Sequence, residues 1–225
     1  MYSFIKIKKA TDQHLWFFSK QKMNYNTTEL SVDFFSYFTK VFFIIPHMDD
    51  EVLGSYELIN KCISLNKEIT IIYCCTNEVN GKKDIKRINE AKKIFPTLQK
   101  IFLDFNDKDT VNKHDKLLNR IEEIVNPTNA LYVFPGFCKA NHPDHNELNK
   151  VMLEECKKNP PAKILQTEII LPIERNCFLE IQDIKKKYKT FKTYKTQLNH
   201  LNYLKILKYL SSSGGKHEYR EFYSM

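Results

Sequence analysis

The sequence predicts a doubly wound, Rossmann-like α/β fold, with a mostly parallel sheet that carries helices on both faces. Two observations lead to it: short apolar runs rich in β-branched and aromatic residues recur along the chain, and segments with helical spacing separate them. Strands that alternate with helices of about 10–15 residues are typical of βαβ units, which build parallel sheets. The runs are apolar nearly throughout, as expected of strands that are buried on both sides.

The predicted elements follow one another in a regular order. The five predicted strands are residues 41–45, 69–75, 101–105, 131–134 and 164–171. The four predicted helices between them are residues 51–65, 84–95, 115–125 and 144–158. Within the second helix, apolar residues stand three or four positions apart, which places them on one helix face. Residues 1–40 are expected to be an N-terminal extension packing on the core, and residues 41–225 the main domain.

Composition narrows the functional class. The 225 residues contain 42% hydrophobic residues, which excludes disorder for most of the chain. Six cysteines without a C-x-x-C pair indicate free thiols in a reducing compartment, and neither a transmembrane segment nor a signal peptide is evident, so we expect a cytoplasmic protein. With five glycines there is no Gly-rich phosphate loop, which argues against a nicotinamide or flavin role. The sequence leaves the oligomeric state open.

Most of the net charge of +8 lies in the last fifth of the chain. From Asp183 onward there are ten Lys and Arg residues but only three Asp and Glu residues. Ile184, Tyr188, Phe191 and Tyr194 are spaced like one helix face. A solvated helix face is the favoured interpretation, and an anion-attracting surface is the alternative. No nucleic-acid motif is present, so no nucleic-acid partner is expected.

Two predicted strand-to-helix loops contain histidine and aspartate. The first strand is followed by PHMDDE (46–51), and the fourth by NHPDH (141–145). Ligands of parallel sheets bind at the carboxyl ends of the strands, so both loops should open on one edge. His47 and Asp50, three positions apart at a helix start, can point the same way, and His145 could complete a zinc site. Helix capping by the acidic residues is the structural alternative.

If such a site forms, Asp49 and His142 remain beside the metal as a carboxylate base and an imidazole acid. The other histidines, which are His14, His114, His200 and His217, have no carboxylate or histidine at a useful spacing, so we expect them to be structural.

PHMDDEVLG and NHPDH resemble the two signature motifs of the PIG-L/LmbE-like zinc-dependent deacetylases. Weaker similarities are CTNE (75–78), the Arg87–Ala91 helix start, KTYKTQ (192–197) and YREF (219–222). The resemblance implies His47, Asp50 and His145 as zinc ligands, Asp49 as the general base and His142 as the group that polarises the amide oxygen. It also implies that Arg87 faces the substrate. Met48 replaces the usual proline and Tyr56 stands where small residues are common, which puts the substrate in question more than the chemistry.

The sequence therefore predicts a zinc-dependent deacetylase acting on an N-acetylated amino sugar or glycoconjugate. Other divalent metals suit the same ligands. Two alternatives stay open: a metal-dependent hydrolase of a non-sugar N-acyl substrate, and a non-enzymatic protein that binds an anionic partner on the same fold.

Overall fold

The computed structural model describes residues 4–8, 14–18, 27–78, 80–137, 139, 142–169, 177–198 and 220–224. The Ser/Gly-rich break at residues 211–215 lies outside these ranges. Within the described residues there is one mixed sheet of eight strands, formed by β3 Thr28–Glu29, β4 Lys40–His47, β5 Glu68–Asn77, β6 Gln99–Asn106, β7 Ala130–Pro135, β8 Lys163–Thr167, β9 Cys177–Glu180 and β10 Arg220–Ser224. Two further strands, β1 Phe4–Lys8 and β2 His14–Phe18, pair with each other in an antiparallel hairpin.

The strand order in the large sheet is β3-β9-β10-β8-β7-β4-β5-β6. Strands β8, β7, β4, β5 and β6 run parallel to one another, whereas β10 is antiparallel to both β8 and β9. The five predicted strands correspond to the five consecutive parallel strands, although the last one ends at Thr167 and not at the predicted residue 171. The predicted α/β class with a mostly parallel sheet is therefore confirmed.

The α-helices of the described chain are α1 Asp50–Gly54, α2 Tyr56–Ser64, α3 Ile85–Lys93, α4 His114–Glu122, α5 Pro143–Lys158, α6 Ile184–Phe191 and α7 Lys195–Leu198. None of them is long and apolar enough to cross a membrane. Alternate residues of β4 serve two separate cores. Phe43 packs with residues of α2, α3 and α6, whereas Ile44 packs with residues of α4 and α5. Helices thus cover both faces of the sheet.

The single predicted helix over 51–65 is in fact two helices, α1 and α2, with Ser55 between them at φ −136° and ψ 12°. Close packing against β8 accounts for Gly54 at this break. A Cβ atom there would lie 2.7 Å from Thr167 Oγ1 and 2.8 Å from Glu168 O. The end of β8 thereby fixes the position of α1.

The prediction that the basic residues of the C-terminal helix are solvated is wrong for Lys187. Lys187 is only 1% exposed, and its Nζ lies 2.8 Å from Glu221 Oε1 and donates a hydrogen bond to Leu53 O. Phe191 and Tyr194 are buried as the spacing predicts. The charge of Lys187 is therefore used inside the protein and not on an anion-binding surface.

Candidate active site

The two histidine-containing loops lie side by side. His47 is the last residue of β4, and α1 begins at Asp50. His142 is the N-cap of α5, whose first turn contains His145. Because β4 and β7 are adjacent parallel strands, the helices that follow them start at the same edge of the sheet. The fold therefore brings together residues that are almost a hundred positions apart.

Three buried side chains each bring one potential ligand atom to the same place. They belong to His47, Asp50 and His145, and we refer to them as the ligand cluster. His47 Nδ1 lies 3.3 Å from His145 Nε2 and 3.4 Å from Asp50 Oδ2, and the third side of the triangle measures 3.3 Å. A tetrahedral zinc with bonds of about 2.0–2.1 Å separates its ligand atoms by about 3.3–3.4 Å. The three atoms thus have the spacing of three corners of a zinc tetrahedron.

Electrostatics at the ligand cluster also favour a cation. Burial opposes protonation of His47, but the carboxylates of Asp107, Asp144 and Asp50 raise its pKa well above 6.5. Burial alone would raise the pKa of Asp50, yet His145 and His47 hold it well below its usual range. The carboxylate of Asp50 is therefore ionised, as a metal ligand must be.

A second set of groups orients His47. Its Nε2 lies 3.2 Å from both Asp144 Oδ2 and Asp107 Oδ1. The buried carboxylate of Asp144 also accepts hydrogen bonds from Lys108 N at 2.7 Å and from Thr110 Oγ1 at 2.5 Å. In a neutral imidazole, a carboxylate that accepts a hydrogen bond from Nε2–H leaves Nδ1 unprotonated and free to bind a metal.

His47, Asp107, His142 and Asp144 also lie close enough together to be considered a second metal group. Both Asp144 oxygens already accept protein hydrogen bonds, and His47 would have to use the nitrogen that holds its tautomer. We therefore assign these residues to orienting the ligand cluster. Asp107 and Asp144 were absent from the predicted site. Asp107 directly follows β6, so the rule that selected the other two loops would have found it.

Asp49 occupies a strained turn between the strand and α1. Its φ of +144° is unusual for a residue with a side chain, and its carboxylate makes no capping hydrogen bond to the helix. Arg87 contacts this turn twice: Nη2 lies 2.8 Å from Asp49 Oδ1, and Nε donates to Met48 O at 2.6 Å. Burial raises the pKa of Asp49 to about 7, although Arg87 opposes the shift. A carboxylate with a pKa near neutrality is suited to proton transfer.

The ring of His142 lies 4.8 Å from the ring of His47, centroid to centroid, and its side chain is 30% exposed. Burial, together with the charge of His47, lowers the pKa of His142 to about 4, so the ring is neutral near pH 7. Its Nδ1 accepts a hydrogen bond from Asp144 N at 3.3 Å. The ring proton is then on Nε2, which can donate it to an oxygen atom in the pocket.

A pocket of about 170 Å³ connects these groups. Its lining includes all six residues singled out in the sequence, namely His47, Asp49, Asp50, Arg87, His142 and His145, together with Leu53, Asp107 and Gln197. Gln197 belongs to α7, so the C-terminal part of the chain contributes to the pocket wall. Tyr56 is not among the lining residues; it is 3% exposed and its ring packs beside Phe95.

His114, which was expected to be structural, lies outside the pocket and contacts two glutamates that are distant in sequence. Its Nδ1 lies 2.6 Å from Glu147 Oε1, and its Nε2 lies 3.1 Å from Glu154 Oε2. Both partners are on α5, 33 and 40 residues along the chain, so no local spacing could reveal them. The contact joins the start of α4 to α5, outside the pocket.

Comparisons with known proteins agree with this geometry. The family model "PIG-L: GlcNAc-PI de-N-acetylase" matches residues 42–156, a range that contains both loops and just over half of the chain. A search of the curated proteins finds no significant match.

Three solved structures have the same fold. N,N'-diacetylchitobiose deacetylase from Pyrococcus horikoshii, complexed with its inhibitor MPG, is 16% identical with a TM-score of 0.67, covering 84% of each chain. The conserved protein TT1542 from Thermus thermophilus is 15% identical with a TM-score of 0.63, covering 81% of this chain and 92% of its own. A triple mutant of a deacetylase of the teicoplanin biosynthetic pathway is 15% identical with a TM-score of 0.59, covering 82% of this chain and 96% of its own.

Proposed function

Because this chain belongs to the PIG-L GlcNAc-PI de-N-acetylase family, we propose that it is a zinc-dependent deacetylase. Its substrate is an N-acetylated amino sugar or a conjugate of one, and its products are acetate and a free amine. The observation that carries the proposal is the triangle formed by His47, Asp50 and His145, with edges of 3.3–3.4 Å and with Asp49 and His142 beside it.

The ligand cluster has the donor set and the spacing for zinc. A zinc ion held by these residues would supply a Lewis acid and would lower the pKa of its water to about 7. Related divalent metals accept the same nitrogen and oxygen ligands. That zinc is the physiological metal is therefore proposed here.

Asp49 carries out the proton transfers, and His142 stabilises the developing charge. Asp49 removes a proton from the attacking water, whose oxygen then bonds to the acetamide carbon. His142 donates a hydrogen bond from Nε2 to the carbonyl oxygen and stabilises its developing negative charge. When the C–N bond breaks, the departing nitrogen takes the proton from Asp49, so that acetate and an amine are released and the carboxylate is restored.

Arg87 supports this chemistry through the base. Its guanidinium binds both the carbonyl of Met48 and the carboxylate of Asp49, so it fixes the position of the base and favours its ionised form. The same side chain lines the pocket, and we propose that it also contacts the substrate there.

The sugar part of the proposal is supported by the solved relatives, which include an N,N'-diacetylchitobiose deacetylase and teicoplanin-pathway deacetylases. It is tested by measuring free amine released from N-acetylglucosamine, N,N'-diacetylchitobiose and an N-acetyl amino acid. We expect turnover of at least one of the two sugars, loss of turnover on chelation and recovery with zinc.

Turnover of the amino acid derivative alone would replace the proposal with a hydrolase of non-sugar N-acyl groups. No turnover of any of the three amides by the zinc-loaded protein would contradict the proposed function for these substrates. Salt-sensitive binding of a phosphorylated glycan without a metal requirement would then favour the anion-binding alternative.

A further inference from the structure

We propose that Tyr194 is a positioning residue for the base: its hydroxyl holds the carboxyl group of Glu51, which in turn holds the strained backbone of Asp49. The inference concerns residues outside the ligand cluster, and its catalytic consequence rests on the proposed function.

The contact between Glu51 and the strained turn is direct. Glu51 Oε2 accepts a hydrogen bond from Asp49 N at 3.1 Å, and Glu51 is fully buried. A residue with a side chain at φ +144° stays in that conformation only when its surroundings hold it there. Arg87 secures the carbonyl before Asp49, and Glu51 secures the amide of Asp49 itself.

Tyr194 supplies the second hydrogen bond to Glu51. Its hydroxyl donates to Glu51 Oε1 at 2.5 Å across a separation of 143 residues, and the ring is fully buried. Among the described residues Glu51 forms no ion pair, so neutral donors have to orient its carboxyl group. Loss of the hydroxyl would remove one of the two hydrogen bonds that orient this group toward the Asp49 amide.

Tyr194 lies in a segment that is fixed at neighbouring positions. Two residues further on, Thr196 donates from N and Oγ1 to Glu90 on α3, and Gln197 lines the pocket. The Tyr194 contact thus fixes the position of the turn that contains Asp49 relative to α7, which forms part of the pocket wall. A shift of about 1 Å in a catalytic group can reduce turnover by about 10²-fold.

The chain offers a matched control for this contact. Tyr223 is also fully buried, and its hydroxyl donates to Glu221 Oε2 at 2.6 Å. Glu221 also accepts a backbone hydrogen bond, but from Glu57 at the start of α2 and not from the turn of the base. Tyr194→Phe and Tyr223→Phe therefore each remove a buried tyrosine hydroxyl that donates to a buried glutamate.

The experiment compares wild type, Tyr194→Phe and Tyr223→Phe, each loaded with zinc and assayed on N,N'-diacetylchitobiose or N-acetylglucosamine, whichever the wild type hydrolyses. We expect Tyr194→Phe to lower kcat by about 10- to 100-fold with KM and zinc content nearly unchanged. Tyr223→Phe should leave kcat within about twofold. Equal values of kcat in the two variants would overturn the inference.

Amide hydrogen exchange of Asp49, followed by NMR, tests the contact without any substrate. We expect exchange at Asp49 to be at least about tenfold faster in Tyr194→Phe than in wild type or Tyr223→Phe, because its hydrogen-bond acceptor is no longer held. Unchanged exchange would overturn the inference even if turnover fell. A wild type that hydrolyses neither sugar would contradict the proposed function and leave the exchange result to decide on Tyr194.

A second pair of variants applies if Tyr194→Phe does not fold. Glu51→Gln keeps an oxygen for the Asp49 amide and a polar group for Tyr194, whereas Glu51→Ala removes both. We expect slow exchange at Asp49 and near-normal kcat in Glu51→Gln, and fast exchange with reduced kcat in Glu51→Ala. Equal behaviour of these two variants would contradict the role of the Glu51 carboxyl group.

Discussion

Two groups of buried polar and charged residues in this protein differ in how their polar atoms are paired. The first is the ligand cluster. The second, which we call the anchor cluster, consists of Lys187, Glu221 and Tyr223. In the anchor cluster Glu221 Oε1 pairs with Lys187 at 2.8 Å, and Oε2 accepts from Tyr223 at 2.6 Å and from Glu57 N at 2.9 Å. Each oxygen of Glu221 therefore accepts from at least one buried donor of the protein.

In the ligand cluster, by contrast, two imidazole nitrogens and a carboxylate oxygen face one another and line a pocket. The imidazole of His47 already directs its other nitrogen at two carboxylates. The comparison teaches that burial of charge does not by itself indicate function. What indicates it is a set of electron-pair donors that converge on one point at the spacing of metal ligands.

The largest difference between the two clusters should be seen in activity. Asp49→Asn removes the proposed base beside the ligand cluster but leaves its three atoms in place. We expect kcat to fall by about 10²–10⁴-fold with zinc still bound, because a positioned base contributes about that factor. Steady-state assays and metal analysis of the same preparation test it. Loss of zinc together with activity would show that Asp49 supports the metal instead.

The anchor cluster should show its effect in stability. Lys187→Met leaves Glu221 buried without its cation, and breaking a buried ion pair in this way costs about 3–5 kcal/mol. Urea unfolding measures the loss, and zinc per folded chain should be unchanged. Lys186→Met, at the exposed neighbouring position, is the matched control and should change stability by less than about 0.5 kcal/mol. Equal losses in both variants would contradict the role assigned to Lys187.

A smaller and pH-dependent effect is expected at His114, whose contact resembles the ligand cluster in composition but lies outside the pocket. Hydrogen bonds that His114 donates to Glu147 and Glu154 raise its pKa above the ordinary value of 6.5. Protonated His114 therefore stabilises the fold fully below about pH 6.5, and this contribution is lost as pH rises through the raised pKa. His114→Gln should lower the thermal midpoint more at about pH 5.5 than at about pH 9. An equal reduction at both pH values would contradict the electrostatic contact.

The parts of the molecule that could be predicted from sequence are those with local signals. The apolar runs predicted the five parallel strands, and the position of His47 and His145 after two of them predicted that they meet. Lys187 could not be predicted to be buried, because its partner Glu221 is 34 residues away on a strand that inserts between β8 and β9. Asp144 looked like an ordinary helix-start residue, since its contacts with His47 and Thr110 exist only in the folded chain.

The central claim is that the two distant loops form one metal site, and metal content tests it most directly. Purified wild type and His145→Ala are each supplied with zinc, freed of excess ion and analysed for zinc per chain. We expect one zinc per chain in the wild type and none in the variant, because the variant lacks one of three ligands. A wild type that retains no divalent metal, or a variant that retains as much as the wild type, would contradict the claim.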